Sequence, residues 1–256
     1  DGRADRSPGE HYQLDMEMSF VEQEDVFNIV EPIFFDLFSK FGNGKKVNKT
    51  PFIRLKYKES LEKYGTDKPD LRNPIELKDV TEIFKSEDVK LKIFKEIISK
   101  GGIVKAIPVP NTNKQPRSFF DNLNDWAISE GASGLAYITF EKSQNRVIGK
   151  GPIAKFFSEE SISNLISKCK ISDQDSIFFV CNKEKEAIKF SGVAREKIAT
   201  ELKLIDENKF HFCWITDYPM YEFDENEKKI DFSHNPFSMP QTKLEEFDKA
   251  DPLKIL

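Results

Sequence analysis

Cysteine, histidine and tryptophan are scarce in this sequence of 256 residues, which has three, three and two of them. Cys169, Cys181 and Cys213 lie far apart, no Cys-x-x-Cys pair occurs, and no cysteines and histidines follow each other at zinc-finger spacing. Cys181 and Cys213 stand in apolar runs and are expected to be reduced core residues. This use of cysteine excludes a disulfide framework and a zinc module, and it favours the cytoplasm.

Several motifs with a known mechanism are also missing. The sequence has no glycine-rich phosphate loop, no His-Glu-x-x-His and no serine nucleophile elbow. No apolar run approaches the roughly 20 residues of a membrane span, and the polar opening does not read as a signal peptide. The net charge of -5 argues against a generally basic nucleic-acid binder.

The sequence does contain enough apolar material for a sizeable core. Hydrophobic residues make up 38% of the chain, and 23 phenylalanines supply much of the surface to be buried. At this length we expect one large or two ordinary domains.

Hydrophobic periodicity predicts helices and strands that mix without a regular βαβ repeat. We therefore expect an α+β fold rather than a parallel doubly wound sheet. Changes of composition suggest three parts, residues 1–75, 76–207 and 208–256. The predicted helices cover residues 24–41, 58–64, 79–84, 91–99, 119–129, 159–168 and 183–204, the last loosened near Gly192, and Ser158 is a plausible N-cap. The predicted strands cover residues 14–20, 51–57, 103–109, 134–140, 176–181, 210–217 and 230–232.

Polar residues that could carry chemistry stand at both ends of the chain. Asp15 shares one face of the first predicted strand with Glu17, and a loop with two arginines precedes it. From the pattern alone, a solvated strand face is the better interpretation. His234 lies at the end of the last predicted strand, where a turn residue that satisfies backbone groups is the better interpretation from the pattern alone. His211 alternates with apolar neighbours and is expected to be structural.

Five segments in order match one family. Residues 64–74 read Tyr-Gly-Thr-Asp-Lys-Pro-Asp-Leu-Arg-Asn-Pro, and this loop resembles a specific signature of bacterial-type aspartyl-tRNA synthetases. Residues 3–20 resemble the second half of motif 2 of that family. Residues 134–138 with 152–156 are similar to its inserted domain, residues 214–222 to its return strand, and residues 234–237 to its His-His/Asn-Pro-Phe segment.

The resemblance implies a class II synthetase fold, which is an antiparallel sheet flanked by helices. It further implies that residues 1–75 and 208–256 belong to the catalytic domain, and that residues 76–207 form an inserted α+β domain of the type shared with an amidotransferase subunit. The implied reaction joins aspartate to ATP as aspartyl-adenylate and then transfers the aspartyl group to the 3′ end of tRNA(Asp). Magnesium is expected in the full enzyme, which the resemblance implies is a cytoplasmic homodimer.

The resemblance also assigns roles to individual residues. Asp15 matches the acid that meets the α-ammonium of aspartate, and His234 matches the histidine that holds its side-chain carboxylate. Arg6 matches a cation at the γ-phosphate of ATP. His11, or Tyr12 after a shift of one residue, stands where the family has a phenylalanine that stacks on adenine. Arg3 matches the loop that reaches the acceptor end of tRNA. No residue of this chain is assigned a catalytic or a metal-binding role.

Other parts of the family pattern do not occur in the sequence. The Phe-Arg-x-Glu of motif 2, motif 1, motif 3 and the anticodon-binding barrel are missing, so we expect a middle section of a synthetase that is inactive by itself. The alternative is an isolated RNA-contacting or structural module built on the inserted domain. The amidotransferase subunit itself is disfavoured because it would share only that domain. We further expect the flanking strands to exchange amide protons faster than residues 76–207, because their sheet lacks members.

Overall fold

The structure is a computed structural model that describes residues 10–144, 146–224, 227–233, 239–247 and 249–256. The helices of this part are α1 (Gln23–Phe41), α2 (Tyr57–Tyr64), α3 (Thr81–Lys85), α4 (Lys92–Ser99), α5 (Arg117–Ser129), α6 (Glu159–Cys169), α7 (Glu184–Glu201) and α8 (Leu244–Phe247). The strands are β1 (Lys46–Val47), β2 (Ile53–Lys56), β3 (Lys78–Asp79), β4 (Gly102–Val109), β5 (Ala136–Ser143), β6 (Arg146–Lys150), β7 (Ser176–Lys183), β8 (Lys209–Phe210), β9 (Cys213–Thr216), β10 (Tyr221–Asp224) and β11 (Lys229–Phe232).

Five of these strands form an antiparallel sheet in the order β3-β4-β7-β5-β6. Neighbouring side chains of a strand point to opposite faces, so Phe178 and Phe179 of β7 belong to two different cores. Helices α5 and α7 cover the face of Phe178, and helices α3, α4 and α6 cover the face of Phe179. This three-layer arrangement confirms the predicted α+β class.

Two further strand pairs join segments from the two ends of the chain. Strand β2 pairs with β9 in parallel, with Ile53 opposite Cys213 and Lys56 opposite Thr216. Strand β1 pairs with β8, also in parallel. Both pairs differ from the antiparallel pairing that was expected for the catalytic sheet. Parallel neighbours need a long connection, and residues 57–212 supply it between β2 and β9.

A buried carboxylate joins α1 to the β2–β9 pair. Glu31 is 3% exposed, and its carboxylate accepts hydrogen bonds from the Phe52 backbone N–H (3.0 Å), from the Arg54 guanidinium and from Trp214 Nε1 (2.9 Å). The Trp214 ring stacks on Phe27 with 4.2 Å between the ring centroids. Because a buried charge needs several donors to offset its lost hydration, Glu31 fixes the register of the helix over both strands.

Several predicted elements are confirmed, and others are wrong. The hydroxyl of Ser158 accepts a hydrogen bond from the Ser161 N–H at 3.0 Å, as predicted for the N-cap of α6. The strand predicted for residues 14–20 does not form, because strand hydrogen bonds need a neighbouring strand and no described strand lies beside it. Only β8 and β9 form within the strand predicted for residues 210–217.

The predicted apolar stripe of α1 is confirmed as a helix face but not as a buried one. Ile29, Ile33, Phe34, Leu37 and Phe41 are between 38% and 65% exposed. The described residues bury only Phe27 and Glu31 of this helix.

Helix α7 is continuous from Glu184 to Glu201 and is not interrupted at Gly192, where the sequence predicted a kink or loosening. The glycine instead allows a close approach. A Cβ atom at Gly192 would lie 2.7 Å from the carbonyl oxygen of Gly65, and one at Gly65 would lie 2.5 Å from the Cα of Gly192. Gly65 ends α2 in the left-handed region, at a φ of +74°. Two glycines are therefore required for α7 to touch the end of α2.

We expect the thiols of the native chain to resist alkylation at pH 8. Burial raises the pKa of Cys169 to about 12 and that of Cys181 to about 11, from an ordinary value of 9.0. The thiolate fraction of Cys169 is then roughly 1,000-fold below that of an unfolded thiol. Mass spectrometry after timed iodoacetamide treatment, with the chain in urea as the control, measures this ratio. Equal labelling of Cys169 in the native and unfolded chain would contradict it.

Candidate functional site

The residues that the sequence singled out are not brought together by the described part of the structure. Arg3, Arg6 and His234 lie outside the described residues. His11 and Asp15 are described, and both are exposed in a segment without regular secondary structure. The carboxylate of Asp15 accepts a hydrogen bond of 2.6 Å from Gln13 Nε2. Their proposed roles therefore remain predictions.

The structure does gather polar side chains where β2 and β9 end. Both strands run in the same direction, so the residues that follow them lie at the same end of the strand pair. Lys56 Nζ lies 3.0 Å from Asp217 Oδ2, and the rings of Tyr57 and Tyr218 meet at a centroid distance of 4.9 Å. Asp217 adopts a positive φ of +56° there. These four residues form what we call the strand-end cluster.

The loop of residues 65–74 closes one side of the strand-end cluster. Its Thr66 carbonyl accepts a hydrogen bond from the Ser60 hydroxyl at 2.7 Å, which ties the loop to α2. The Tyr218 hydroxyl lies 3.5 Å from the carbonyl oxygen of Asp67, at the long limit of a hydrogen bond. The loop thus connects α2 to the residues that follow β9.

An ion pair stiffens the second half of the loop. The guanidinium of Arg72 donates from Nε and Nη2 to the carboxylate of Asp70, at 2.9 and 2.7 Å. The side-chain hydrogen bond from Arg72 is the main reason that the pKa of Asp70 lies below its ordinary value. The Asp70 carboxylate also accepts from the Arg72 backbone N–H at 2.9 Å, which closes a tight local turn.

The phenols of the strand-end cluster stay protonated at neutral pH. Burial, followed by the charges of Asp67 and Glu222, raises the pKa of Tyr57. Burial and the same Asp67 raise the pKa of Tyr218. Neutral phenol hydroxyls beside carboxylates can hold a ligand that carries hydroxyl or ammonium groups. Sequence reasoning missed this cluster, although Tyr57 is the last residue of one predicted strand and Tyr218 directly follows another.

His211 is half-buried, and its predicted structural role stays a prediction. It lies between β8 and β9, and burial with the nearby charge of Lys209 lowers its pKa. Its Nδ1 atom is buried and has no hydrogen-bond partner among the described residues. The lowered pKa favours the neutral form of the imidazole, so His211 brings little charge to this region at neutral pH.

In the described ranges, no group of three or more His, Cys, Asp and Glu side chains is placed to hold a metal ion. No helix of the described part is long and apolar enough to cross a membrane.

Comparison with known proteins agrees with this architecture and with the segments that resemble a family. The family model described as class II tRNA synthetases (D, K and N) matches residues 1–254. The chain therefore belongs to this family of class II tRNA synthetases.

Three relatives are similar along the whole of this chain and carry the same name. An aspartate–tRNA(Asp/Asn) ligase of Beijerinckia indica subsp. indica is 52% identical over 255 residues, which are 100% of this chain and 42% of that protein. The ligase of that name from Rickettsia canadensis is 55% identical over 250 residues, 98% of this chain and 40% of that protein. The one from Pelagibacter ubique is 52% identical over 255 residues, 100% of this chain and 43% of that protein. The chain thus spans about two-fifths of the length of these relatives.

Proposed function

We propose that the protein to which this chain belongs is an ATP-dependent aspartate–tRNA ligase. It activates aspartate as aspartyl-adenylate, with release of pyrophosphate, and transfers the aspartyl group to the 3′ end of tRNA. The observation that supports this proposal is the identity of 52% to 55% with proteins named aspartate–tRNA(Asp/Asn) ligase along the whole chain. We propose the cytoplasm as its location and a homodimer as its state.

The residue roles in this proposal follow from charge and shape. Asp15 would meet the α-ammonium of aspartate and His234 its side-chain carboxylate, since each offers the opposite charge or a donor. Arg6 would bind the γ-phosphate of ATP, because a guanidinium matches two phosphate oxygens. His11 or Tyr12 would stack on adenine, and Arg3 would contact the acceptor end of tRNA. The exposure of His11 and Asp15 leaves both open to a ligand.

Magnesium is expected to accompany ATP in an enzyme of this kind. The described residues supply no side-chain cluster that fits such an ion, so no step of this proposal runs through it. What these residues would do is bind, orient and neutralise charge, which is the main demand of adenylate formation.

We also propose an assignment of the chain to two domains. Residues 1–75 and 208–256 would form parts of the catalytic domain, and residues 76–207 would form an inserted domain. In support, the five-stranded sheet with its two helix layers uses strands from residues 78–183 only. The β2–β9 pair, by contrast, joins the two proposed catalytic parts.

Pyrophosphate exchange tests the function. The full-length protein is expected to show aspartate-dependent exchange of pyrophosphate into ATP, whereas the chain of 256 residues is expected to show none. Purified tRNA(Asp) and tRNA(Asn) are then charged in parallel, because the relatives are named for both. A full-length protein without aspartate-dependent exchange would refute the ligase, and exchange by the 256-residue chain would refute its predicted inactivity.

A further inference from the structure

A buried arginine of α7 holds the loop of residues 65–74 from beneath. Arg195 is 0% exposed. Its Nε donates to the carbonyl of Ile75 at 2.7 Å, and its Nη2 donates to the carbonyls of Asp70 (2.9 Å) and Asn73 (3.0 Å). Three backbone carbonyls within residues 70–75 therefore converge on one guanidinium.

Further contacts surround the guanidinium of Arg195 and link α7 to Asn73. Nη1 donates to the carboxylate of Glu196 at 2.5 Å, and the guanidinium lies 5.0 Å from the centroid of the Tyr64 ring. In return, Asn73 Nδ2 donates to the backbone carbonyl of Arg195 at 3.4 Å, and Asn73 Oδ1 accepts from the Ile75 N–H at 3.1 Å. Four of the five N–H groups of the guanidinium have acceptors, so the buried charge is well satisfied.

A planar fork of donors suits this task better than an ammonium group. The three carbonyls lie around the edge of the guanidinium plane, and a lysine in the same place has a single nitrogen to offer. Since backbone carbonyls accept these bonds, the contact sets the path of the loop chain regardless of its side chains.

From the loop, contacts continue toward the predicted aspartate-binding residue. The Tyr218 hydroxyl lies against the Asp67 carbonyl, and two residues later the carbonyl of Met220 accepts a hydrogen bond from the Ser233 N–H at 3.0 Å. Ser233 directly precedes His234 in the sequence.

We propose that Arg195 is a positioning residue of the ligase: it fixes the loop of residues 65–74 and, through Tyr218 and Met220, the chain that leads into His234. The kinetic part of this inference rests on the proposed function. The structural part does not, because it concerns only contacts within this chain.

Hydrogen exchange of the 256-residue chain tests the structural part. In Arg195→Met, the amides of Arg72, Asn73 and Ile75 are expected to exchange about ten-fold faster or more, while the amides of the central strand β7 keep their rates. The matched control is Arg146→Met, which removes an exposed ion pair with Glu159. Uniform acceleration, or an unchanged loop, would overturn the inference.

Two further variants keep the test decisive if Arg195→Met fails to fold. Arg195→Lys retains the charge but loses the fork, so its loop amides are expected to exchange at rates between those of the wild type and of the methionine variant. Glu196→Gln leaves the three carbonyl contacts in place, and its loop is expected to exchange as in the wild type. Equal loop exchange in Arg195→Lys and the wild type would overturn the role of the fork.

Pyrophosphate exchange by the full-length protein tests the kinetic part. Arg195→Met is expected to raise the KM for aspartate about five-fold or more and to change the KM for ATP less than about two-fold. An unchanged KM for aspartate in an active protein overturns the positioning role. If the wild-type protein lacks aspartate-dependent exchange, the proposed function fails, and hydrogen exchange still decides whether Arg195 orders the loop.

Discussion

Replacing Glu31 with methionine is expected to lower the free energy of unfolding by about 3 to 5 kcal/mol. The substitution keeps the side-chain length but removes the acceptor of the Phe52 N–H, the Arg54 guanidinium and Trp214 Nε1. The side chain of Arg54 is only 26% exposed, and its remaining carboxylate partner is the exposed Glu24. A half-buried cation and two donors would thus lose their acceptor at once.

Urea unfolding followed by tryptophan fluorescence measures this loss. The chain has two tryptophans, so a Trp126→Phe background makes the signal report on Trp214, which itself touches Glu31. Glu24→Gln is the matched control, because the side chain of Glu24 is 66% exposed and its carboxylate lies 3.2 Å from Arg54 Nη2. The control is expected to cost less than about 1 kcal/mol. If the methionine variant is as stable as the control, the hydrogen bonds to Glu31 contribute little to the free energy of unfolding.

Gly192→Ala is expected to destabilise the chain by about 2 to 3 kcal/mol, although alanine is the better helix former by about 1 kcal/mol. The added methyl group would lie 2.7 Å from the carbonyl oxygen of Gly65 and 2.9 Å from its carbonyl carbon. Both are backbone atoms, so the clash is relieved only if α7 moves away from the end of α2. Because Arg195 lies one turn further along α7, the same movement strains its contacts with the loop.

The partner glycine supplies the comparison for that experiment. Gly65→Ala would add both a strained φ of +74° and a contact of 2.5 Å with Gly192. Gly131 has a similar φ of +86° and nothing within 4 Å of an added Cβ, so Gly131→Ala isolates the conformational cost, about 1 to 2 kcal/mol. Thermal unfolding of the three variants separates the two effects. Equal losses for Gly65→Ala and Gly131→Ala would contradict a role for the glycine contact.

Helices and strands whose apolar residues repeat with a clear period could be predicted from the sequence. Strand β7 and helix α6 lie where periodicity and the Ser158 cap placed them. The predicted strand of residues 14–20 failed because alternation shows which faces a strand would have, not whether a neighbour is present to bond it. Strands β6 and β10 were missed because short hairpin strands with polar residues lack a clear period.

The candidate site, too, could be predicted from the sequence only in part. The order of motifs along the chain pointed to the synthetase family, and the family match confirms it. The strand-end cluster could not be predicted, because only the parallel register brings Lys56 to Asp217 and Tyr57 to Tyr218. Arg195 could not be predicted either, since a single arginine in a charged helix usually faces water and its burial depends on a loop 122 residues away.

The parallel pairing of β2 with β9 has a consequence for how the chain is made. Asn48 and Phe212 share two hydrogen bonds across 164 residues, and Glu31 bonds to Trp214 across 183 residues. A ribosome that adds about 5 to 20 residues per second needs roughly 8 to 37 s to synthesise these intervals. Throughout this time, β2 lacks β9 as a neighbour, and Glu31 lacks the indole of Trp214. If the intervening sheet folds first, it shortens the effective loop that the pairing of β2 with β9 must close, and so lowers the entropic cost of that pairing.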